Sequence, residues 1–145
     1  MQRIKKIQSA ATYAVRQPVL RPGLPVSSCI FEGDDLSTTV HFGVFEADGL
    51  AGIISVFKSR NELFTNEVQF QIRGMAILPE HQKKGLGEKL LQTAESYIIQ
   101  NSGKLVWCNA REVAVGFYKK AGYSIIGNAF TIKGVGVHYV MYKTL

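Results

Sequence analysis

At 145 residues, 46% of them hydrophobic, the chain is sized for one globular domain over residues 1–145 with a core of its own. No apolar run approaches the roughly 20 residues of a membrane helix, and Met1 to Lys6 lacks the apolar stretch of a signal peptide, so a soluble, cytoplasmic protein without membrane attachment is expected. The net charge of +6 favours anionic partners in general, its dispersal argues against nucleic acid, and Cys29 and Cys108 stand apart with no Cys/His cluster, against a disulfide framework or a metal site.

Gln17 to Pro25 holds three of the four prolines and reads as an ordered loop. Thr38 to Glu46 is rich in β-branched and aromatic residues and predicts a strand. Ala47-Asp48-Gly49 supplies the turn, and Leu50 to Phe57 returns as its partner. Val68, Phe70 and Ile72 alternate with polar residues, the period of a half-buried strand that continues through Met75-Ala76-Ile77-Leu78. Leu86, Leu90, Leu91, Ala94, Tyr97 and Ile98 then form one stripe of an amphipathic helix that Gly103 ends. Lys104 to Cys108 is a short strand, Glu112 to Ala121 a short helix stopped by Gly122, and Tyr123 to Gly127 and Gly136 to Lys143 are further strands. This order, behind an antiparallel meander, argues for a mixed α/β (α+β) sandwich with one βαβ unit.

The most informative stretch is Met75 to Glu88, where a strand gives way to a glycine-containing loop that opens a helix. Such a junction aims unpaired backbone N–H groups at one point, and the helix dipole adds to them. Gly85 and Gly87 let the backbone approach a pyrophosphate, and Lys83 and Lys84 bring charge from the rim. Neither a Gly-x-Gly-x-x-Gly turn nor a P-loop is present.

Gln82-Lys83-Lys84-Gly85-Leu86-Gly87 resembles the coenzyme A signature, Gln/Arg-x-x-Gly-x-Gly/Ala, of the GNAT (N-acetyltransferase) superfamily. Ala114 to Tyr123, with Phe117-Tyr118 at its centre, is similar to that superfamily's Ala-x-x-Phe-Tyr segment, so the resemblance covers roughly Thr38 to Leu145. It implies a central mixed, mainly antiparallel sheet flanked by helices, whose fourth and fifth strands splay apart. The pantetheine arm of acetyl-CoA would run beside the backbone of Met75, Ala76 and Ile77, with Gln82 to Glu88 at the pyrophosphate. Phe117 would join the cofactor site, and Tyr118 would protonate the departing thiolate. A backbone N–H near Met75 or Ala76 is a candidate oxyanion donor.

The sequence departs from the family pattern in two places. Many members carry a Glu on the fourth strand as general base, whereas Gln69 to Gly74 holds no carboxylate. Candidates for the missing base are His41 and His138, with His138 preferred; Glu67 and Glu80 are weaker, and a water chain would need no dedicated base. His41 also stands as a candidate for contacting the acceptor. In place of the usual cofactor-binding Asn, Arg111 precedes Phe117 by six residues, so either Asn109 or Arg111 meets the coenzyme. Arg73 beside Gly74 is either paired to a structural carboxylate or faces the acceptor cleft, where it would bind an anionic group.

The resulting expectation is an acetyl-CoA-dependent enzyme that acetylates a primary amine directly, on a small molecule that carries an anionic group in the Arg73 reading. Cys108 is expected to be a packed residue rather than a nucleophile. No nucleic-acid partner and no metal are expected, and a homodimer stays open. Competing readings are a CoA-binding module without turnover and an enzyme that acetylates protein lysines or N-termini.

Overall fold

The computed structural model describes residues 2–145; Met1, the first residue of the amino-terminal stretch considered above, lies outside them. The described residues form β1 (Arg3–Ile7), α1 (Ser9–Leu20), β2 (Val40–Glu46), β3 (Gly49–Lys58), β4 (Phe70–Ile77), α2 (Leu86–Gln100), β5 (Leu105–Arg111), α3 (Val115–Lys120), β6 (Ser124–Ile132) and β7 (Gly136–Thr144). This is the mixed α/β, mainly antiparallel fold that the resemblance implied. Two compact units divide the chain, one made of Met1–Phe57 and Ile72–Tyr97, the other of Lys58–Gln71 and Ile98–Leu145.

In the first unit the strand order is β1-β2-β3-β4. β1 lies antiparallel to β2, with Ile4 opposite Val44 and Ile7 opposite His41. β2 and β3 form the expected hairpin, from Val40 opposite Val56 to Glu46 opposite Gly49, with a bulge between Val44 and Phe45. Ala51 to Phe57 are all buried, as befits a strand covered on both faces. Val15, Ile53 and Ala76 form a core onto which Ile7, Val19, Leu20, Leu50 and Leu78 pack.

β1 and α1 were not legible, and the Gln17 to Pro25 loop begins later than expected because α1 runs through Pro18 to Leu20. The buried residues of α1 are Thr12, Val15 and Arg16. Their spacing is helical, yet only one is apolar, so hydropathy shows no stripe. Pro18 has no N–H to give Ala14 O, so it costs the last turn one helical bond, and Arg21 N–H then closes the helix on the carbonyls of Arg16 and Gln17 at 3.1 and 3.2 Å. β1 is a charged edge strand with Arg3, Lys5 and Lys6 exposed, a composition that protects an edge but carries no strand signal.

Helix α2 keeps Leu86, Leu90, Leu91, Ala94 and Ile98 buried. It ends at Gln100 in a left-handed Ser102 (φ 65°). Ser102 N–H reaches Ile99 O at 3.1 Å and Gly103 N–H reaches Ile98 O at 2.8 Å, the paired bonds of a Schellman cap. Gly103 is therefore needed for space rather than for its backbone freedom. A Cβ there would collide with Ile98 Cγ2 and stand 2.7 Å from Phe70 Cδ1.

In the second unit the order is β5-β7-β6, both pairs antiparallel. Phe64, Leu105, Trp107 and Val140 form its core with Ile126, Phe130 and Tyr142 against them, and Trp107 Nε1–H is bonded to Ser59 O at 3.0 Å. β6 does not stop at Gly127 as expected. Gly127 (φ 76°) lies in the register shift between Ile126 and Phe130, so this glycine marks an irregularity within the strand.

Candidate active-site elements

The loop that follows β4 is tied down at both ends. Leu78 N–H is bonded to Ala51 O at 2.8 Å, Pro79–His81 form one 3-10 turn, and Gln82 Nε2 donates to Ile77 O at 2.9 Å. The β2–β3 hairpin holds it from the side, with Lys84 Nζ 3.8 Å from Glu46 and His81 Nε2 3.2 Å from Asp48. Lys83 and Gly85 both take left-handed conformations, φ 64° and 80°, so the backbone turns twice before Gly85 O accepts the first helical bond from Lys89 N–H at 3.2 Å. The N–H groups of Leu86, Gly87 and Glu88, ahead of that bond, have no intrahelical carbonyl to reach. No atom lies within 4 Å of where a Cβ on Gly85 would stand. Gln82 to Gly85 are exposed beside the positive end of a 15-residue helix.

On β4, Gly74 has φ 63°, an irregular position within the strand that a side chain would occupy only under strain. A Cβ there would stand 3.0 Å from Phe31 and 3.4 Å from Arg16 Nε. Arg73 just before it is half-buried. Its guanidinium lies 4.7 Å from the Phe31 ring centre and 5.3 Å from that of Phe57. Among the described residues no carboxylate forms an ion pair with it; the sequence alternative of a structural acidic partner is not what the geometry gives. Burial, and next the charge of Arg16, hold the Arg73 guanidinium below its usual range, with Asp34 opposing.

The structural carboxylate serves Arg16 instead, at 2.7 and 3.0 Å from Asp34. Arg16 also donates to Cys29 O at 2.7 Å and Ser55 Oγ at 3.0 Å, and Phe31 N–H donates to Asp34 at 2.9 Å. Burial raises the Asp34 pKa, but the hydrogen bonds from Arg16 and Phe31 and the Arg16 charge outweigh it and hold the carboxyl below its ordinary value. His41 belongs to the same network. Its Nε2–H donates to Asp34 O at 2.9 Å, and its Nδ1 lies 2.6 Å from Ser55 Oγ, accepting from the hydroxyl. The acceptor-contact and base roles considered for His41 thus lose their physical basis, because both ring nitrogens are engaged and the side chain is buried.

In the second unit Tyr118 sits on α3, whose end is a second Schellman cap. Tyr123 N–H reaches Tyr118 O at 3.0 Å and Gly122 N–H reaches Lys119 O at 3.1 Å, with Gly122 at φ 98°. The apolar contact that accompanies this cap is between the Tyr118 and Tyr123 rings, 5.4 Å apart. Phe117 packs edge-on to Tyr118 at 5.2 Å. The Tyr118 hydroxyl makes no hydrogen bond among the described residues. Burial, with a further contribution from Cys108, pushes its pKa far up, so it is a phenol and not a phenolate. Cys108 is itself buried and pushed up to about 12 by desolvation, which leaves it a poor nucleophile.

Arg111 on β5 is directly opposite His138 on β7, and His138 is opposite Phe130 on β6. One row on one face thus carries all three. The Phe130 and His138 rings stack at 5.7 Å. His138 is 4% exposed, and its Nδ1–H donates to Gly136 O at 2.8 Å, a tautomer that leaves the Nε2 lone pair as the proton acceptor. Asn109, opposite Val140, shares this face two residues away and is exposed. Cys108, which influences Tyr118, is three residues from Arg111, so it lies on the other face of β5.

Comparison with known proteins places this chain. The acetyltransferase (GNAT) domain family matches residues 33–145, and the chain belongs to that family as an N-acetyltransferase. It is 35% identical over 145 residues, 100% of this chain and 97% of the other, to the uncharacterized N-acetyltransferase YitI of Bacillus subtilis (strain 168). The fold matches the ribosomal-protein-S18-alanine N-acetyltransferase from Escherichia coli with a TM-score of 0.78 at 16% identity, over 99% of this chain and 94% of that one. It matches an aminoglycoside 6'-N-acetyltransferase complexed with coenzyme A with a TM-score of 0.77 at 14% identity, over 98% and 96%.

Proposed function

We propose that this N-acetyltransferase acts in the cytoplasm, takes acetyl-CoA as its acyl donor and passes the acetyl group directly to a primary amine on a small molecule. The observation that carries the reading is the exposed turn at Gln82 to Gly87, where two left-handed residues, Lys83 and an open Gly85, precede the start of α2. That shape suits a pyrophosphate, as does the exposed Lys83. Lys84 is partly neutralised by Glu46 and contributes less. Acetyl-CoA supplies the acetyl group as an activated thioester, and the remaining chemistry falls to this chain.

The N–H groups of Leu86, Gly87 and Glu88 hold the phosphates with Lys83. Gln82 keeps the loop in shape through its bond to Ile77 O. The backbone of Met75, Ala76 and Ile77 lines the pantetheine arm, and Phe117 and either Asn109 or Arg111 complete the cofactor contacts. Tyr118 delivers its phenolic proton to the leaving sulfur. His138 Nε2 accepts the proton that the amine loses, and its bond to Gly136 O fixes the ring for that task. The buried Cys108 thiol supports direct transfer without an acyl-enzyme.

The test is acetyl-CoA turnover against a panel of small primary amines and short peptides, followed by free thiol and by the mass of the product. Thiol release that depends on a small amine is expected. Release only with peptides would assign a protein acceptor, and CoA binding without release from any amine would assign a module that has lost turnover.

A further inference from the structure

We infer that Arg73 and Arg21, set around the Phe31 ring, bind a carboxylate carried by the acceptor amine; this rests on the acetyl-transfer reading above. The inference begins from local charge. Three guanidinium groups surround Phe31, with Arg16, Arg73 and Arg21 at 3.8, 4.7 and 5.4 Å from the ring centre. Asp34 is the buried carboxylate of this neighbourhood, and both its oxygens are committed to Arg16. Arg21 donates to Leu20 O at 3.0 Å. Among the described residues, neither Arg73 nor Arg21 forms an ion pair. Glu32 is exposed and favours the Arg73 charge only weakly.

A half-buried cation beside other cations is costly unless an anion arrives. Among the described residues no hydrogen bond engages the Arg73 N–H fork. That fork matches a carboxylate in a bidentate pair. Position narrows the class of acceptor further. Arg73 is only two residues before Met75 on β4, so a carboxylate held at Arg73 keeps the rest of the molecule close to the backbone proposed to hold the pantetheine arm. The fitting acceptor is a small amino acid-like molecule, with amine and carboxylate a few bonds apart.

The test uses matched acceptors that differ only in bearing a carboxylate, its methyl ester or a phosphonate, with kcat and KM measured for wild type, Arg73→Lys and Arg21→Gln. The wild type should prefer the carboxylate over the ester by about tenfold or more in kcat/KM. Arg73→Lys should raise KM for the carboxylate and bring that ratio close to one, and Arg21→Gln should lower it part of the way. No acid-over-ester preference in the wild type, a preference for the phosphonate, or an unchanged ratio in folded Arg73→Lys would each overturn the assignment. Absence of turnover with every amine would fail the acetyl-transfer reading instead. Calorimetric titration of an amino carboxylate into the CoA-loaded protein then decides the site: wild-type binding that weakens at least tenfold in Arg73→Lys upholds it, and equal or no binding overturns it.

Discussion

Replacing Tyr118 by phenylalanine is expected to lower kcat by about 10²–10⁴-fold, the cost of losing a positioned acid, with fold and CoA affinity retained. The hydroxyl is the only group removed. The ring, which packs on Phe117 and Tyr123, stays, and so do the backbone bonds of the α3 cap. Two observations make this hydroxyl a donor. Burial keeps it protonated at neutral pH, and no partner among the described residues already holds its proton. The measurement is kcat beside CoA affinity in the same variant. A fall of less than about threefold would assign Tyr118 to packing alone.

Asp34→Asn is expected to destabilise the fold by about 3–5 kcal/mol, because it leaves the buried Arg16 charge uncompensated. For a chain of this length that corresponds to a fall in Tm of roughly 10 °C or more. The isosteric asparagine keeps the volume, so packing is not the variable. The wild-type carboxyl also sets an acid limb. Its folded pKa lies below the unfolded value of about 3.9, so its contribution is complete above that value and disappears as pH falls through the lower, folded one. Asp34→Asn should flatten this limb. Denaturant unfolding from pH 7 down to about pH 2 checks both statements. A loss below about 1 kcal/mol at pH 7 would mean that Arg16 finds another counter-charge.

The elements that follow a single periodicity were legible in the sequence, namely the β2–β3 hairpin, β4, the apolar stripe of α2, and β7. The glycine loop was legible because its chemistry is local, carried by consecutive residues whose backbone turns as Gly85 requires. α1 was hidden because Arg16 occupies a core position that only a distant partner, Asp34, makes habitable. The same partnership was invisible at His41, a candidate base and acceptor contact in the sequence, whose two nitrogens meet Ser55 Oγ and Asp34 O. Glycines were recognised more readily than their reasons. Gly103 reads as a helix stop, yet Ser102 takes the left-handed turn and Gly103 makes room for Ile98 and Phe70. The surroundings of Arg73 had no sequence signal either, since Phe31 and Arg21 come from a loop some forty to fifty residues earlier.

The account depends most on the loop that opens α2, and calorimetric titration of CoA into wild type and Gly87→Glu tests it without an acceptor. Gly87 is the second residue of α2, among the N–H groups assigned to the pyrophosphate. A glutamate there sets bulk and negative charge against the phosphates. Wild type should bind CoA, and the folded variant should show no measurable binding. Equal affinity in the two proteins, with circular dichroism confirming that both are folded, would contradict the phosphate loop and the acetyl-CoA-dependent function built on it.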